Sequence, residues 1–192
     1  ASTRGWISVP SAFCMVIAGP VSGRFSDKYG WGIFNVGGMI VTAIGLLILV
    51  NLDVEKPLIL IIVGMVVQTL GSGSFWPSNN SSILSVVSPA NYGVISSFTN
   101  LVRNSGHVVG IAISTAIVTG TMGSLGHPPT LSAINEASSL PILSAFTIGL
   151  QNTFWVCVAL SLMAAVASLI GTSWKNKDVK TLMIKGDING EA

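Results

Sequence analysis

The sequence predicts an all-α fold, a polytopic bundle of membrane-spanning helices, and three observations lead there. Half of the 192 residues are hydrophobic and only 8% are charged, against roughly a quarter charged in an ordinary soluble domain. Five apolar stretches recur, at about 5–22, 33–52, 58–86, 94–120 and 147–173, and about 20 residues rising roughly 1.5 Å each cross a hydrocarbon layer about 30 Å thick. None of the five contains Asp or Glu, and only the fourth contains Lys or Arg, the pattern expected where burying a charge is costly.

The first helix is predicted to start on Ser2 or Thr3 as its cap, with Arg4 and Trp6 at the interface and Pro10 as a mild kink. It does not read as a signal peptide, because it lacks a basic leader and a small-residue cleavage site. The absence of an initial Met fits a chain that begins inside a longer protein. The run Gly19-Pro20-Val21-Ser22-Gly23 is expected to end this helix. A charged turn at the membrane surface then follows, Gly23-Arg24-Phe25-Ser26-Asp27-Lys28-Tyr29-Gly30.

The second helix, Phe34 through Leu52, carries Gly37, Gly38 and Gly45, which let a neighbour approach its backbone. The third opens after Pro57, a favourable first-turn residue, and turns polar at Gln68. From Gly71 to Ser82 it is rich in Gly, Ser and Asn around Phe75, Trp76 and Pro77. Pro77 removes a backbone donor and pushes against the Gly73 carbonyl, so a bend is expected there. Freed backbone groups inside lipid need protein or cavity water, which places this segment toward the bundle interior. Ser88-Pro89-Ala90-Asn91-Tyr92-Gly93 reads as a tight turn.

The fourth helix places Ser96, Asn100, Arg103, Asn104, His107 and Ser114 along one stripe. An arginine at this depth is expected to face an interior or a cavity. Residues 121–146 form a long outer connection with Gly123, Gly126, Pro128, Pro129 and Pro141, and with room for a short surface helix near 131–138. The fifth helix ends at Trp174, an interfacial anchor, and 175–192 is expected to be a polar tail that frays.

Charge sets the expected orientation. Arg24 and Lys28, with Lys175, Lys177, Lys180 and Lys185, mark the cytoplasmic side, whereas Arg4, Lys56, Asp53, Glu55 and Glu136 lie opposite. The amino end is then outside the cell and the carboxyl tail in the cytoplasm, at a plasma or inner membrane. A net charge of +2 is too small to point to nucleic acid. Cys14 and Cys157 lie in apolar runs as small hydrophobic residues, so neither a disulfide nor a metal site is expected. The sequence has no HExxH, no GxSG and no paired intramembrane Asp, so enzymatic chemistry is not expected and no cofactor is called for.

In order, Gly23, Asp27, Lys28 and Gly30 fit the form Gly-x-x-x-Asp-Arg/Lys-x-Gly, with Trp31 and Gly32 standing where a closing basic pair would be. Phe75-Trp76-Pro77-Ser78-Asn79-Asn80-Ser81 with Ser88-Pro89 and Gly93, and then the segment from Leu101 to Ala112, follow in the same order. Together, over about residues 2–174, these resemble the carboxyl-terminal half of a major facilitator superfamily transporter of the fourteen-helix drug:proton antiporter branch. The resemblance implies five transmembrane helices of an incomplete C-terminal half. Their partner would be the missing N-terminal half, and their ligands a small amphipathic or drug-like compound and protons.

It also implies a gating loop at Gly23, Asp27, Lys28 and Gly30 that acts as a state-dependent latch; a solvated basic turn that only sets topology is the plainer reading. Gln68, Ser72, Asn79, Asn100, Arg103, Asn104 and His107 are candidates to line a cavity between helices or to hydrogen-bond between them. His107 replaces the small residue usual in the family, so no family role passes to it, although an imidazole can titrate near neutral pH. A non-transporting receptor or assembly partner on the same scaffold is the alternative function.

Overall fold

The computed structural model describes the backbone of residues 2–51, 58–131 and 140–189, and within these the side chains of 12–26, 28, 30–51, 58–131 and 140–171. Five helices make it up: α1 Ser2–Tyr29, α2 Trp31–Val50, α3 Leu58–Leu84, α4 Tyr92–Ser124 and α5 Leu140–Asn189. A 3-10 turn, Pro89–Asn91, leads into α4, and no strand occurs among the described residues. Helices α2, α3, α4 with its preceding turn, and Leu140–Gly171 of α5 are long and apolar enough to cross a membrane. In α1 the described apolar stretch is Ala12–Ser26. The side chains that open the expected first span, and the connection residues Asp53, Glu55, Lys56 and Glu136, lie outside the described residues. So does most of the expected surface helix near 131–138.

Two expectations about helix ends are corrected. The first helix does not stop in Gly19–Gly23; it runs through Pro20 and the charged segment to Tyr29, so the expected turn is helix. Arg24, Phe25 and Lys28 all tolerate helix, and the charges of Arg24 and Lys28 end an apolar span without ending the helix itself. The reversal falls on Gly30 alone, at φ 91° and ψ 133°, a region that side chains with a Cβ seldom enter. Gly30→Ala is therefore expected to cost about 1–3 kcal/mol, read as a lower unfolding midpoint in detergent; an unchanged midpoint would remove the strained turn from the account. Helix α5 likewise runs to Asn189 and does not end near 173. It also starts earlier than expected, because Pro141 sits in its first turn, where a missing N–H is harmless.

Helix α3 stays continuous across Pro77. Beside the proline, fully buried Ser78 donates its hydroxyl to the Ser74 carbonyl at 3.1 Å. That carbonyl also accepts the hydroxyl of buried Ser22 from α1 at 2.9 Å. At the end of α4, Gly126 at φ 78° reverses the chain, and the N–H groups of Gly126 and His127 bond to the carbonyls of Gly123 and Met122 at 3.1 and 3.0 Å. This pair of bonds is the Schellman arrangement that satisfies otherwise orphaned carbonyls.

Packing is tightest between α2 and α3, where glycines notch into each other. A Cβ placed on Gly38 would lie 2.8 Å from the Gly71 carbonyl oxygen, and one on Gly45 would overlap the backbone of Gln68. Gly38 and Gly45 thus carry the expected close approach, whereas Gly37 meets nothing within 4 Å. Helix α1 joins α3 through Ala18 against Gly73, at 3.2 Å from a Cβ built there, and through the Ser22 hydrogen bond. Helix α4 packs on α5 around Val118, Met122 and Ala145, with Ile142, Phe146 and Leu150 against them.

Candidate functional site

The polar stripe of α4 determines where a site can form. Every residue from 101 to 110 is exposed within this chain, so this stretch of α4 packs only loosely against the other described helices. Arg103 and His107 line a groove of about 530 Å³ between α3 and α4, together with Trp76, Gly106, Gly110, Ser114 and Thr115. The arginine expected to face a cavity therefore lines an open groove.

Trp76 fixes the position of that arginine. The Arg103 guanidinium carbon lies 5.4 Å from the centre of the indole ring, within the roughly 6 Å at which a cation is held by a ring face. Arg103 also donates to the side-chain oxygen of Asn100, one turn earlier on α4. Phe75 meets Trp76 edge-on, with ring centres 5.6 Å apart and planes at 68°, an arrangement aromatic pairs favour. The result is a guanidinium held by an amide on its own helix and by an indole on the next. Trp76 is the groove-lining partner of Arg103 that residue-by-residue chemistry missed. No spacing within either helix links position 76 to position 103, so only the packing of α3 beside α4 could find it.

The other candidates fall into separate places. Asn100 and Arg103 share a smaller hollow of about 160 Å³ with Asn80 and Ser96. Asn79 lies with Phe75, Trp76 and Arg103 along a neighbouring hollow of about 370 Å³. It also borders one of about 360 Å³ beside Trp31, Asn35 and Ser168. Asn35 is buried there, and its side-chain oxygen has no hydrogen-bond partner among the described residues. Asn104 is exposed on α4 but does not line the large groove.

Gln68 and Ser72 are half-buried and lie away from that groove. Gln68 is where Gly45 of α2 comes closest, and the Ser72 hydroxyl bonds back to the Thr69 carbonyl at 3.2 Å. Their surroundings are those of helix packing. In the expected gating loop, Gly23 and Lys28 sit in the last turns of α1 and Gly30 makes the reversal, while the Asp27 side chain lies outside the described residues. Cys14 and Cys157 are free thiols, and no group of three or more metal-ligating side chains occurs among the described residues.

Comparison with known proteins adds the family. A family model described as Major Facilitator Superfamily matches residues 1–182. The chain is 34% identical over 108 residues to a protein named riboflavin transporter RibZ from Clostridioides difficile (strain 630), covering 56% of this chain and 24% of that protein. It is 28% identical over 125 residues to a protein named multidrug transporter protein MdtP from Bacillus subtilis (strain 168), covering 65% of this chain and 23% of that protein. The matches thus span about a quarter of the length of either relative. No solved structure matches the chain significantly.

Proposed function

The chain belongs to the Major Facilitator Superfamily, and from that membership we propose that it is the carboxyl-terminal portion of a fourteen-helix drug:proton antiporter, which exports small amphipathic, drug-like compounds by alternating access. The observation that carries this reading is the unfinished Arg103–Trp76 groove. It lies part-way along α4, about 16 Å from Tyr92 at 1.5 Å per residue, and a guanidinium at such depth needs protein or water around it. A second set of helices laid over α4 completes the cavity, and substrate sites of secondary transporters form where two such halves meet. The missing N-terminal half is the partner that fits.

Two names support small organic cargo, since one relative is called a riboflavin transporter and the other a multidrug transporter. Protons would be taken up largely outside this chain. The stretches 31–50, 58–84, 92–124 and 140–171 contain no Asp or Glu, which supports a coupling carboxylate outside them. The lysines after Gly171 and the Arg24–Lys28 segment support a cytoplasmic position for both at a plasma or inner membrane, with the amino end outside.

The reading is tested with the full-length transporter in inverted membrane vesicles. A proton gradient is expected to drive dye accumulation, and a protonophore to abolish it. Accumulation that survives collapse of the gradient would rule out antiport. Asp27 belongs to the segment read as a latch that makes and breaks contacts between two conformations. Asp27→Asn is expected to lower proton-driven uptake by about fivefold or more, the scale of a coupling energy near 1 kcal/mol, with membrane insertion intact; equal uptake would leave only a topological role.

A further inference from the structure

We propose that the groove between α3 and α4 binds a flat, fused-ring aromatic molecule bearing carbonyl or anionic acceptors, and that it discriminates against lipophilic cations. This rests on the transporter reading above and narrows its substrate class.

Charge is the first argument. Among the described residues that line the groove, Arg103 alone carries a formal charge and none is a carboxylate. The apolar stretches of α2 to α5 supply none either. A guanidinium stays protonated throughout the physiological range, so a cation entering beside it meets like charge, whereas a carbonyl or an acid meets a donor fork. One donor of that fork is committed to Asn100, and its planar geometry suits two parallel acceptors on a ring edge.

Shape is the second. Gly106 and Gly110, one helical turn apart, form the floor of the groove beside Arg103 and His107, and a Cβ added at either meets nothing within 4 Å. The floor at these two positions is therefore bare backbone, and the branched side chains of Ile111 and Thr115 line the groove farther along α4. Along α4 the groove runs from Arg103 to Thr115, about 18 Å at 1.5 Å per residue. Its volume of about 530 Å³ falls in the range of small-molecule sites. Polar groups at its two ends, Arg103 at one and Ser114 and Thr115 at the other, can fix a long flat molecule by both edges.

Stacking is the third. The indole of Trp76 is steadied by the edge of Phe75, and its face is held near the guanidinium. With the Arg103 guanidinium from α4 lying over the Trp76 ring from α3, the pair accepts a further π-system in parallel. Lysine in place of Arg103 would keep the charge and lose both the fork and the plane.

The experiment compares two fluorescent probes in inverted vesicles holding the full-length transporter. Lucifer yellow is a flat anionic imide with carbonyl acceptors; ethidium is a flat cation. Saturable proton-driven uptake of lucifer yellow, preferred over ethidium by about tenfold or more in kcat/KM, is expected. Arg103→Lys is expected to raise KM for lucifer yellow about tenfold with little change in kcat, and Trp76→Phe to do less harm than Trp76→Leu. Ethidium carried as well as or better than lucifer yellow overturns the proposal while leaving the transporter reading intact, as does an Arg103→Lys variant with unchanged KM. Proton-driven transport of neither probe, nor of any other dye, overturns both.

Discussion

Gly45→Ala is expected to destabilise the protein by about 3 kcal/mol, the upper end of what overpacking a filled site costs, while Gly37→Ala on the same helix changes little. A Cβ on Gly45 would lie 2.7 Å from the Cβ of Gln68 and nearer still to its backbone. Backbone cannot rotate away as a side-chain tip can, so α2 and α3 must separate. One turn further along α3 the same holds in reverse, since a Cβ on Gly71 would lie 2.7 Å from the Gly38 carbonyl oxygen. The two helices are keyed together by missing side chains from both partners.

In a membrane this is the main source of helix affinity, because lipid is as apolar as leucine and only close van der Waals contact and hydrogen bonding distinguish protein from lipid. Gly37 has open space around its Cβ position, and alanine there gains helix propensity. The check is the unfolding midpoint of the detergent-solubilised full-length protein, followed by gel filtration of heated samples. Equal midpoints for Gly37→Ala and Gly45→Ala would contradict the glycine notch. Because α3 also carries Trp76, a loosened notch is further expected to weaken the Arg103–Trp76 contact.

What could be read from the sequence divides along a physical line. Hydropathy reports where chain can sit in lipid, and the apolar cores of α2, α3, α4 and α5 were legible from it. It does not report where backbone hydrogen bonding stops. Arg24 and Lys28 in α1, and Lys175 to Lys185 in α5, ended the apolar runs yet stayed in helix. Gly30, not Pro20, is the break, since a proline inside a helix removes one donor while φ of 91° ends the helical path altogether. Glycine pairing was half legible. Gly38 and Gly45 meet α3, but Gly37, on the same helix, meets nothing within 4 Å. Spacing says that an approach is allowed, and only the partner helix decides which glycine uses it. For the site, Arg103 and His107 were visible as polar residues in an apolar helix, whereas Trp76 was hidden because its partner is 27 positions away on another helix.

Gly149→Leu is expected to reduce transport by the full-length protein at least about tenfold, the loss that accompanies roughly 1.4 kcal/mol of misplaced binding energy, with the protein still inserted. A Cβ on Gly149 would lie 3.0 Å from the Val118 Cα and 3.2 Å from its carbonyl oxygen, so here α5 meets the backbone of α4 directly. Around that point Met122 is fully buried against Ala145 and its neighbours. Among the described residues no comparable cluster holds the exposed stretch 101–110, where Arg103 reaches across to Trp76. Helix α4 is thus clamped near its far end and open at the groove.

A leucine at Gly149 forces the clamp apart by more than a flexible side chain can absorb, and a rigid α4 carries that displacement along its length to Arg103. Gly149→Ala, which adds one carbon at a spacing already tight, should give a smaller loss in the same direction. The distinguishing readout is KM: displacement of the groove raises it for the transported probe, whereas general loss of folded protein lowers the maximal rate in proportion to protein amount and leaves KM alone. A Gly149→Leu transporter with wild-type KM and wild-type rate per folded molecule would show that α4 takes its position from the partner half and not from α5.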